Sequence, residues 1–129
     1  MRKPVTSESA RAVGPYSHGI VSDPFVLLSG QTPLDPESGV LVGGGVGAQT
    51  RQCFANLFGV LAAAGLDGDD VVKVNVYLTD MADFDEMNAA YQEHFREPYP
   101  ARTTVAVAAL PLGAAVEIEL TARRREQPG

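Results

Sequence analysis

The run from Val71 to Thr79 constrains the fold most, because apolar and polar side chains alternate along it. A period of two is typical of a β-strand with one deeply buried face. The buried set would be Val72, Val74, Val76 and Leu78, and the opposite face would carry Lys73, Asn75 and Tyr77. This strand therefore needs an apolar layer against one side.

Helical patterns flank this strand on both sides. From about Gly47 to Ala64, apolar residues recur at three- and four-residue spacing, and Gly65 is placed to cap the helix end. After the strand, Asp83 and Glu86 resemble a capping box at the start of a second amphipathic helix. The apolar positions are Phe54, Leu57, Leu61 and Ala64 in the first helix, and Phe84, Met87, Tyr91 and Phe95 in the second, which Pro98 and Pro100 end.

Further strands are predicted before and after the helices. Residues 16–21 and 25–29 form a predicted hairpin, followed by a loop with a short strand at 40–42. Residues 103–108 and 115–122 form two more strands, whose connecting Leu-Pro-Leu-Gly turn favours antiparallel pairing of the two. The first 13 residues or so are predicted to be loosely held.

This order predicts a single α+β domain over residues 1–129, with two helices covering one face of a mixed sheet. The other sheet face would be open and partly apolar, which predicts a homo-oligomer. The basic run Arg123 to Arg125 is interpreted as a solvated tail, and Cys53 as a small core residue.

Charge and composition exclude several classes of function. The net charge of −6 and the pI near 4.7 disfavour binding to nucleic acid or to anionic membranes. A single cysteine, with no signal peptide or membrane span, predicts a cytoplasmic protein. His18 and His94 are the only histidines and lack metal-ligand spacing, so no metal site is expected, and residues 43–45 lack the rest of a phosphate loop and are interpreted as a flexible loop.

The chemistry is expected around Arg102, which follows Pro100-Ala101 at the start of a strand of small and apolar residues. A planar guanidinium suits a substrate carboxylate, whereas a surface ion pair is the ordinary role for an arginine. The next strand carries Glu117 and Glu119, either of which could act as a base facing the same pocket. Alternation places both carboxylates on one strand face, so their spacing cannot separate them.

These motifs also resemble the RidA/YjgF family of reactive-intermediate deaminases, also called the endoribonuclease L-PSP family. The similarity runs along nearly the whole chain, and its most specific parts are Pro100-Ala101-Arg102-Thr103 and Val116-Glu117-Ile118-Glu119. It implies a chorismate-mutase-like sandwich, a homotrimer with its sheets in a central barrel, and active sites between subunits. The implied reaction is hydrolysis of 2-enamine and 2-imine acids to 2-keto acids and ammonia, without a cofactor.

The resemblance also assigns roles to residues. Among the two glutamates it selects Glu117 as the acid near the attacking water. Many relatives have a cysteine where this chain has Thr104, which excludes a thiol and leaves a backbone carbonyl or a hydroxyl for that position. The other candidates for substrate binding are Ser29 and Gly30, through a close backbone approach, Tyr16 at the cleft border, and Asn88, which is expected to hold a loop or helix in place.

Three alternatives stay open. The chain could be an RNA-directed ribonuclease or translation inhibitor, although its acidic balance argues against this. It could bind small carboxylates without turnover, using the same arginine. It could also deaminate a ring-cleavage product such as 2-aminomuconate, which differs from the first proposal only in pocket size.

Overall fold

The protein is described by a computed structural model, which covers residues 2–8, 10 and 14–125. In this part of the chain one six-stranded sheet has the strand order β1-β2-β3-β6-β4-β5. The strands are β1 (Lys3–Val5), β2 (Gly19–Ser22), β3 (Phe25–Gln31), β4 (Val71–Leu78), β5 (Ala101–Ala106) and β6 (Val116–Arg123), and the helices are α1 (Gly45–Ala63) and α2 (Phe84–Gln92). All neighbouring strands are antiparallel except β4 and β5, which are parallel.

The core lies between the two helices and one face of the sheet. Helix α1 contributes Phe54 and Leu57, both fully buried, and the central strands contribute Val74, Val76 and Ile118. Aromatic rings of both helices then pack edge to face around Phe54. The predicted α+β architecture, a mixed sheet with helices on one side, is confirmed.

The predicted antiparallel pairing of the last two strands is wrong. Helix α2 connects β4 to β5 as a crossover, and such a connection places the two strands parallel and side by side. Strand β6 then lies between β3 and β4 and is antiparallel to both. The link at Pro111–Gly113 is a single 3₁₀ turn rather than a hairpin turn, so β5 is left as the edge strand.

Two local expectations for strands also need correction. Residues 40–42 form only an isolated bridge between Leu34 and Leu41. Val72 is 42% exposed, because the pairing of β4 with β6 shifts by one residue between Val71 and Lys73. The shift leaves Val71 in the core in place of Val72.

The two ends of the described chain are held more firmly than the sequence suggests. Strand β1 pairs with β2, which contradicts a loosely held start, although residues 1, 9 and 11–13 lie outside the described part. At the other end, Arg124 pairs with Asp23 at 3.3 Å, and Arg125 donates to the buried Asp70 at 2.7 Å. The arginine run is therefore not a solvated tail.

The cap predicted at Gly65 is confirmed, and the one predicted at Asp83 is wrong. Gly65 has a φ of 77°, and its N–H bonds the carbonyl of Ala62, as expected for a left-handed cap. Asp83 makes no side-chain cap, and the Glu86 carboxylate instead accepts a hydrogen bond of 2.7 Å from the Gly47 N–H. Gly47 lies in the first turn of α1, which has no acidic residue of its own.

Replacing Glu86 by alanine is expected to lower the free energy of unfolding by about 1 kcal/mol, because the first turn of α1 loses its anionic acceptor. Chemical denaturation measures the change. Asp85→Ala is the matched control, since it also removes an acid from the first turn of α2 but makes no described contact with α1. Equal losses in both variants would show that the contact between the helices contributes nothing.

Candidate active site

Strand β5 presents Arg102 to the helix side of the sheet. Arg102 pairs in register with Val74, which is fully buried against the helices, so their side chains share a face. The guanidinium Nη1 donates to Oδ1 of Asn88 at 2.7 Å. Its carbon lies 4.6 Å from the centre of the Tyr91 ring and 5.6 Å from that of Phe84. These contacts orient the fork, because stacking and the amide restrict its rotation.

A cleft of about 280 Å³ adjoins this guanidinium, and we call it the arginine cleft. It is lined by Asn88, Tyr91, Gln92, Tyr99, Pro100 and Arg102. Asn88, expected to hold a loop or a helix in place, contacts the arginine itself. The cleft thus combines one cation with aromatic walls and amide groups, which suits a small organic anion.

A second cleft, of about 530 Å³, lies elsewhere on the chain, and we call it the glutamate cleft. It is lined by Tyr16, Ser29, Gly30, Thr32, Pro111, Glu117 and Glu119. Burial and the neighbouring negative charge of Glu119 raise the pKa of Glu117 above its ordinary value. A raised pKa makes the ionised carboxylate a stronger base than an ordinary glutamate.

Gly30 is required for the position of Glu117. The pairing of β3 with β6 is irregular between Leu28 and Gln31, which brings Gly30 against the glutamate. A Cβ at Gly30 would lie 2.6 Å from Oε2 of Glu117, closer than a side-chain carbon can approach. Ser29 donates its hydroxyl to the Ser17 carbonyl at 2.6 Å, which ties the segment containing Tyr16 to β3.

The two glutamates, alike in the sequence, differ in their contacts. The Tyr77 hydroxyl donates a hydrogen bond to Oε1 of Glu119. This bond, with burial and the Glu119 charge, raises the pKa of Tyr77 to about 12, so the phenol stays a donor at neutral pH. Within the described part of the chain, no residue donates a hydrogen bond to Glu117. Glu117 is therefore the carboxylate left available in the cleft.

Arg102 and Glu117 lie on opposite faces of the sheet. Arg102 is in register with Val74 on the helix side, whereas Glu117 is in register with Tyr77, whose side chain points to the open side. One chain alone cannot bring these two groups to one small molecule. The expectation that both groups face one pocket is therefore wrong for an isolated chain. A pocket shared by the two groups would need a second copy of the chain.

Thr104 contributes no accessible hydroxyl. Its Oγ1 is enclosed by protein and has no hydrogen-bond partner in the structure. The Val107 N–H bonds the Leu78 carbonyl at 2.8 Å, so odd-numbered residues of β5 direct their backbone groups toward β4. The N–H and C=O of Thr104 therefore point to the open edge of the sheet, where a ligand could reach the carbonyl.

Three residues that contact the charged groups of the site cannot be found from the sequence alone: Phe84 and Tyr91 against Arg102, and Tyr77 against Glu119. The spacing predicts Phe84 and Tyr91 only as core positions of α2, and alternation predicts Tyr77 only as a polar strand position. Their spacing held a signal, since Phe84, Asn88 and Tyr91 lie three and four residues apart on one helix face. Only the pairing of β5 with β4 reveals that Arg102 meets this face.

Neither a metal-binding cluster nor a membrane-spanning helix is present among the described residues. Residues 2–8, 10 and 14–125 contain no group of three or more histidine, cysteine or acidic side chains that could hold a metal ion. None of the helices described is long and apolar enough to span a membrane. Cys53 is fully buried, with its thiol against the Gln31 carbonyl at 3.1 Å, which agrees with a core residue.

Comparison with known proteins gives consistent matches along the chain. The family model described as endoribonuclease L-PSP matches residues 6–124. The human protein named 2-iminobutanoate/2-iminopropanoate deaminase is 43% identical over 117 residues, which are 91% of this chain and 85% of that protein.

Solved structures extend the similarity to three dimensions. RidA from an Antarctic Psychrobacter species is 43% identical with a TM-score of 0.91, and the match covers 95% of this chain and 99% of that one. TdcF from E. coli, solved with bound serine, is 36% identical with a TM-score of 0.90 at the same coverage.

Proposed function

This chain belongs to the endoribonuclease L-PSP family, also called the RidA/YjgF family, and we propose that it hydrolyses reactive 2-enamine and 2-imine acids to 2-keto acids and ammonia. Relatives at 43–46% identity carry the name 2-iminobutanoate/2-iminopropanoate deaminase, which supports this reaction class. The observation that carries the proposal is the oriented Arg102 guanidinium at the edge of a small cleft.

Arg102 is proposed to bind the substrate carboxylate. A 2-imino acid carries that carboxylate next to the electrophilic C=N carbon, so gripping the acid also places the reacting carbon. Asn88 and the ring of Tyr91 hold the guanidinium in a fixed direction, which reduces the entropy lost when substrate binds. TdcF, the relative with bound serine, shows that a small amino acid can bind to a protein of this fold.

The active site is proposed to form between subunits of a homotrimer. Because Arg102 and Glu117 lie on opposite sheet faces, the arginine cleft of one copy must meet the glutamate cleft of the next. The open face also exposes Leu27 and Phe25, each at least 40% accessible, which association would cover. Closed cyclic symmetry then gives one such site for every pair of neighbours.

Glu117 is proposed to move protons during hydrolysis. Water attacks C2 of the iminium, a C–O bond forms, the C=N electrons pass to nitrogen, and Glu117 takes a proton from the water. Glu117 then returns that proton to the amine nitrogen. The C–N bond breaks as the hydroxyl oxygen forms the C=O bond, and the hydroxyl proton leaves with ammonia as ammonium. The products are the 2-keto acid and ammonium, and no cofactor enters.

The remaining candidate residues are proposed to position the substrate. Gly30 would offer its backbone N–H to the bound acid, and Ser29, bonded to Ser17 and His18, would hold that segment in place. Tyr16 would border the cleft, and the Thr104 carbonyl at the sheet edge would accept a hydrogen bond from the iminium N–H. Two acidic side chains in the glutamate cleft disfavour a polyanion there, so RNA cleavage is the less supported function. The cytoplasm stays the proposed compartment, since the lone Cys53 cannot form an internal disulfide.

Ammonia release from freshly generated 2-iminobutanoate tests the function. The amino acid and a pyridoxal-phosphate-dependent dehydratase or an amino acid oxidase supply the imine, and the excess rate over the uncatalysed reaction is measured. An accelerated release supports the proposal. Tight binding of 2-keto acids without acceleration would instead favour a carboxylate-binding protein, and salt-dependent binding of RNA would favour the nuclease alternative.

Replacing Gly30 by alanine is expected to lower kcat about 10²-fold, because a displacement of about 1 Å at a reacting group has that cost. The new Cβ would overlap Oε2 of Glu117 and push the carboxyl group aside. Gly43→Ala is the matched control, since a Cβ at Gly43 has no neighbour within 4 Å. An unchanged kcat in the Gly30 variant would show that the observed position of Glu117 is not the reactive one.

A further inference from the structure

A second feature of the open sheet face involves Tyr77, which neither the sequence patterns nor the family comparisons assign to the site. Tyr77 on β4 is in register with Glu117 on β6, and its hydroxyl reaches diagonally along β6 to Glu119. The three side chains therefore form one contiguous group on the face opposite the helices. A phenol between two carboxylates, bonded to only one of them, makes those two carboxylates inequivalent.

We propose that Tyr77 is a positioning residue for this pair: its hydroxyl holds the Glu119 side chain by a hydrogen bond, so that Glu117 is the carboxyl group that exchanges protons with water and substrate. The inference rests on the proposed function for its catalytic meaning, but the protonation of Glu117 can be measured without substrate. The phenol acts only through Glu119 and need not touch the reacting atoms.

The charges around the pair support this division of roles. The Glu119 charge is one of the two causes that raise the pKa of Glu117, the other being burial. Tyr77, with a pKa of about 12, keeps its proton throughout the working range and remains a hydrogen-bond donor to Glu119. The phenol thus occupies one oxygen of Glu119, and no other described residue gives Glu117 such a donor.

The other titratable groups facing the pair do not replace Tyr77. Lys73 on β4 is turned toward β5, where its ammonium donates to Thr103 at 2.8 Å. Tyr16, from the segment before β2, lines the same cleft. From behind the sheet, α1 presents the buried Cys53 thiol, whose pKa rises through burial and the Glu117 charge, so it stays neutral. On this face β3 contributes only apolar side chains and the serine hydroxyl already bonded to Ser17.

The test is the titration of the Glu117 carboxyl carbon, followed by ¹³C NMR in protein labelled at glutamate and assigned by the loss of its signal in Glu117→Gln. We expect Glu117 to titrate at lower pH in Tyr77→Phe than in the unaltered protein, because a hydrogen-bond donor then no longer distinguishes the two carboxyl groups. Glu119→Gln is expected to shift Glu117 in the same direction, and adding Tyr77→Phe to it should produce no further shift.

A matched control and a kinetic readout complete the experiment. Thr121→Val changes a polar side chain on the same strand and face, and should leave the Glu117 titration unchanged. In ammonia release, the acid limb of kcat/KM should move to lower pH in Tyr77→Phe. An unchanged Glu117 titration in Tyr77→Phe, or a further shift in the double variant, would overturn the inference. If the protein released no ammonia while the titration shifted as expected, the proposed function would fail and the role of Tyr77 would stand.

Discussion

Arg102→Ala is expected to lower kcat/KM for 2-imino acids by about 10²- to 10⁴-fold, because a substrate carboxylate in the cleft would lose its paired charge. Removing one partner of a desolvated ion pair costs about 3–5 kcal/mol. Arg102→Lys keeps the charge but loses the planar fork, and Asn88 and the Tyr91 ring orient only that fork. The lysine variant should therefore recover only part of the loss. Initial rates of ammonia release measure both variants.

The arginine prediction needs a control for general effects of losing a surface cation. Arg51→Ala serves, since Arg51 forms an exposed ion pair with Glu93 at 2.9 Å, outside the cleft. It should change stability little, because exposed ion pairs contribute little, and should leave the rate unaltered. Equal kcat/KM values for Arg102→Ala and Arg51→Ala would show that Arg102 does not bind the substrate carboxylate.

Glu117→Gln is expected to lower kcat by about 10²- to 10⁴-fold, the range typical of a lost general base or acid. Glutamine nearly matches the shape of glutamate but cannot take a proton from water. In the unaltered enzyme, activity should be present above the raised pKa of Glu117 and lost as pH falls through it. The pH dependence of kcat/KM reports this limb, which should disappear in the variant.

The free energy of unfolding provides the control for Glu117→Gln, because the substitution is expected to maintain or raise stability while it lowers the rate. A carboxyl group whose pKa is raised on folding favours the folded state at low pH, and that contribution is lost as pH rises from the ordinary value through the raised one. Above the raised pKa the charged Glu117 therefore costs stability, and there Glu117→Gln should unfold at the same or a higher denaturant concentration. A variant that is both slow and unstable would indicate a structural role instead.

Local patterns predicted the elements well, and the relations between elements poorly. Alternation in Val71 to Thr79 and the spacing in α1 correctly gave a strand and a helix, because both depend on burial of one face. The pairing of β5 with β4 depends on the crossover through α2, which no local pattern contains. The turn residues at Leu110–Gly113 predict a hairpin, because a local turn pattern contains no information about β4, the distant strand with which β5 pairs instead.

The same limit applies to the candidate site. Alternation correctly placed Glu117 and Glu119 on one face of their strand. It does not show which residues of another strand point to the same side of the sheet. That relation is set by register, which pairs Arg102 with Val74 and Glu117 with Tyr77 and so separates the two proposed catalytic groups. The hydrogen bond from Tyr77 to Glu119 likewise follows from register.

Subunit complementation tests the shared site most directly. Arg102→Ala and Glu117→Gln chains, each carrying a different tag, are produced together, and the mixed oligomers are isolated through both tags. Each chain retains the group that the other lacks, so every mixed trimer has one interface of three that combines an intact Arg102 with an intact Glu117. Ammonia release near a third of the unaltered rate is the expected result. Mixed oligomers as inactive as either variant alone would contradict a site built from two copies.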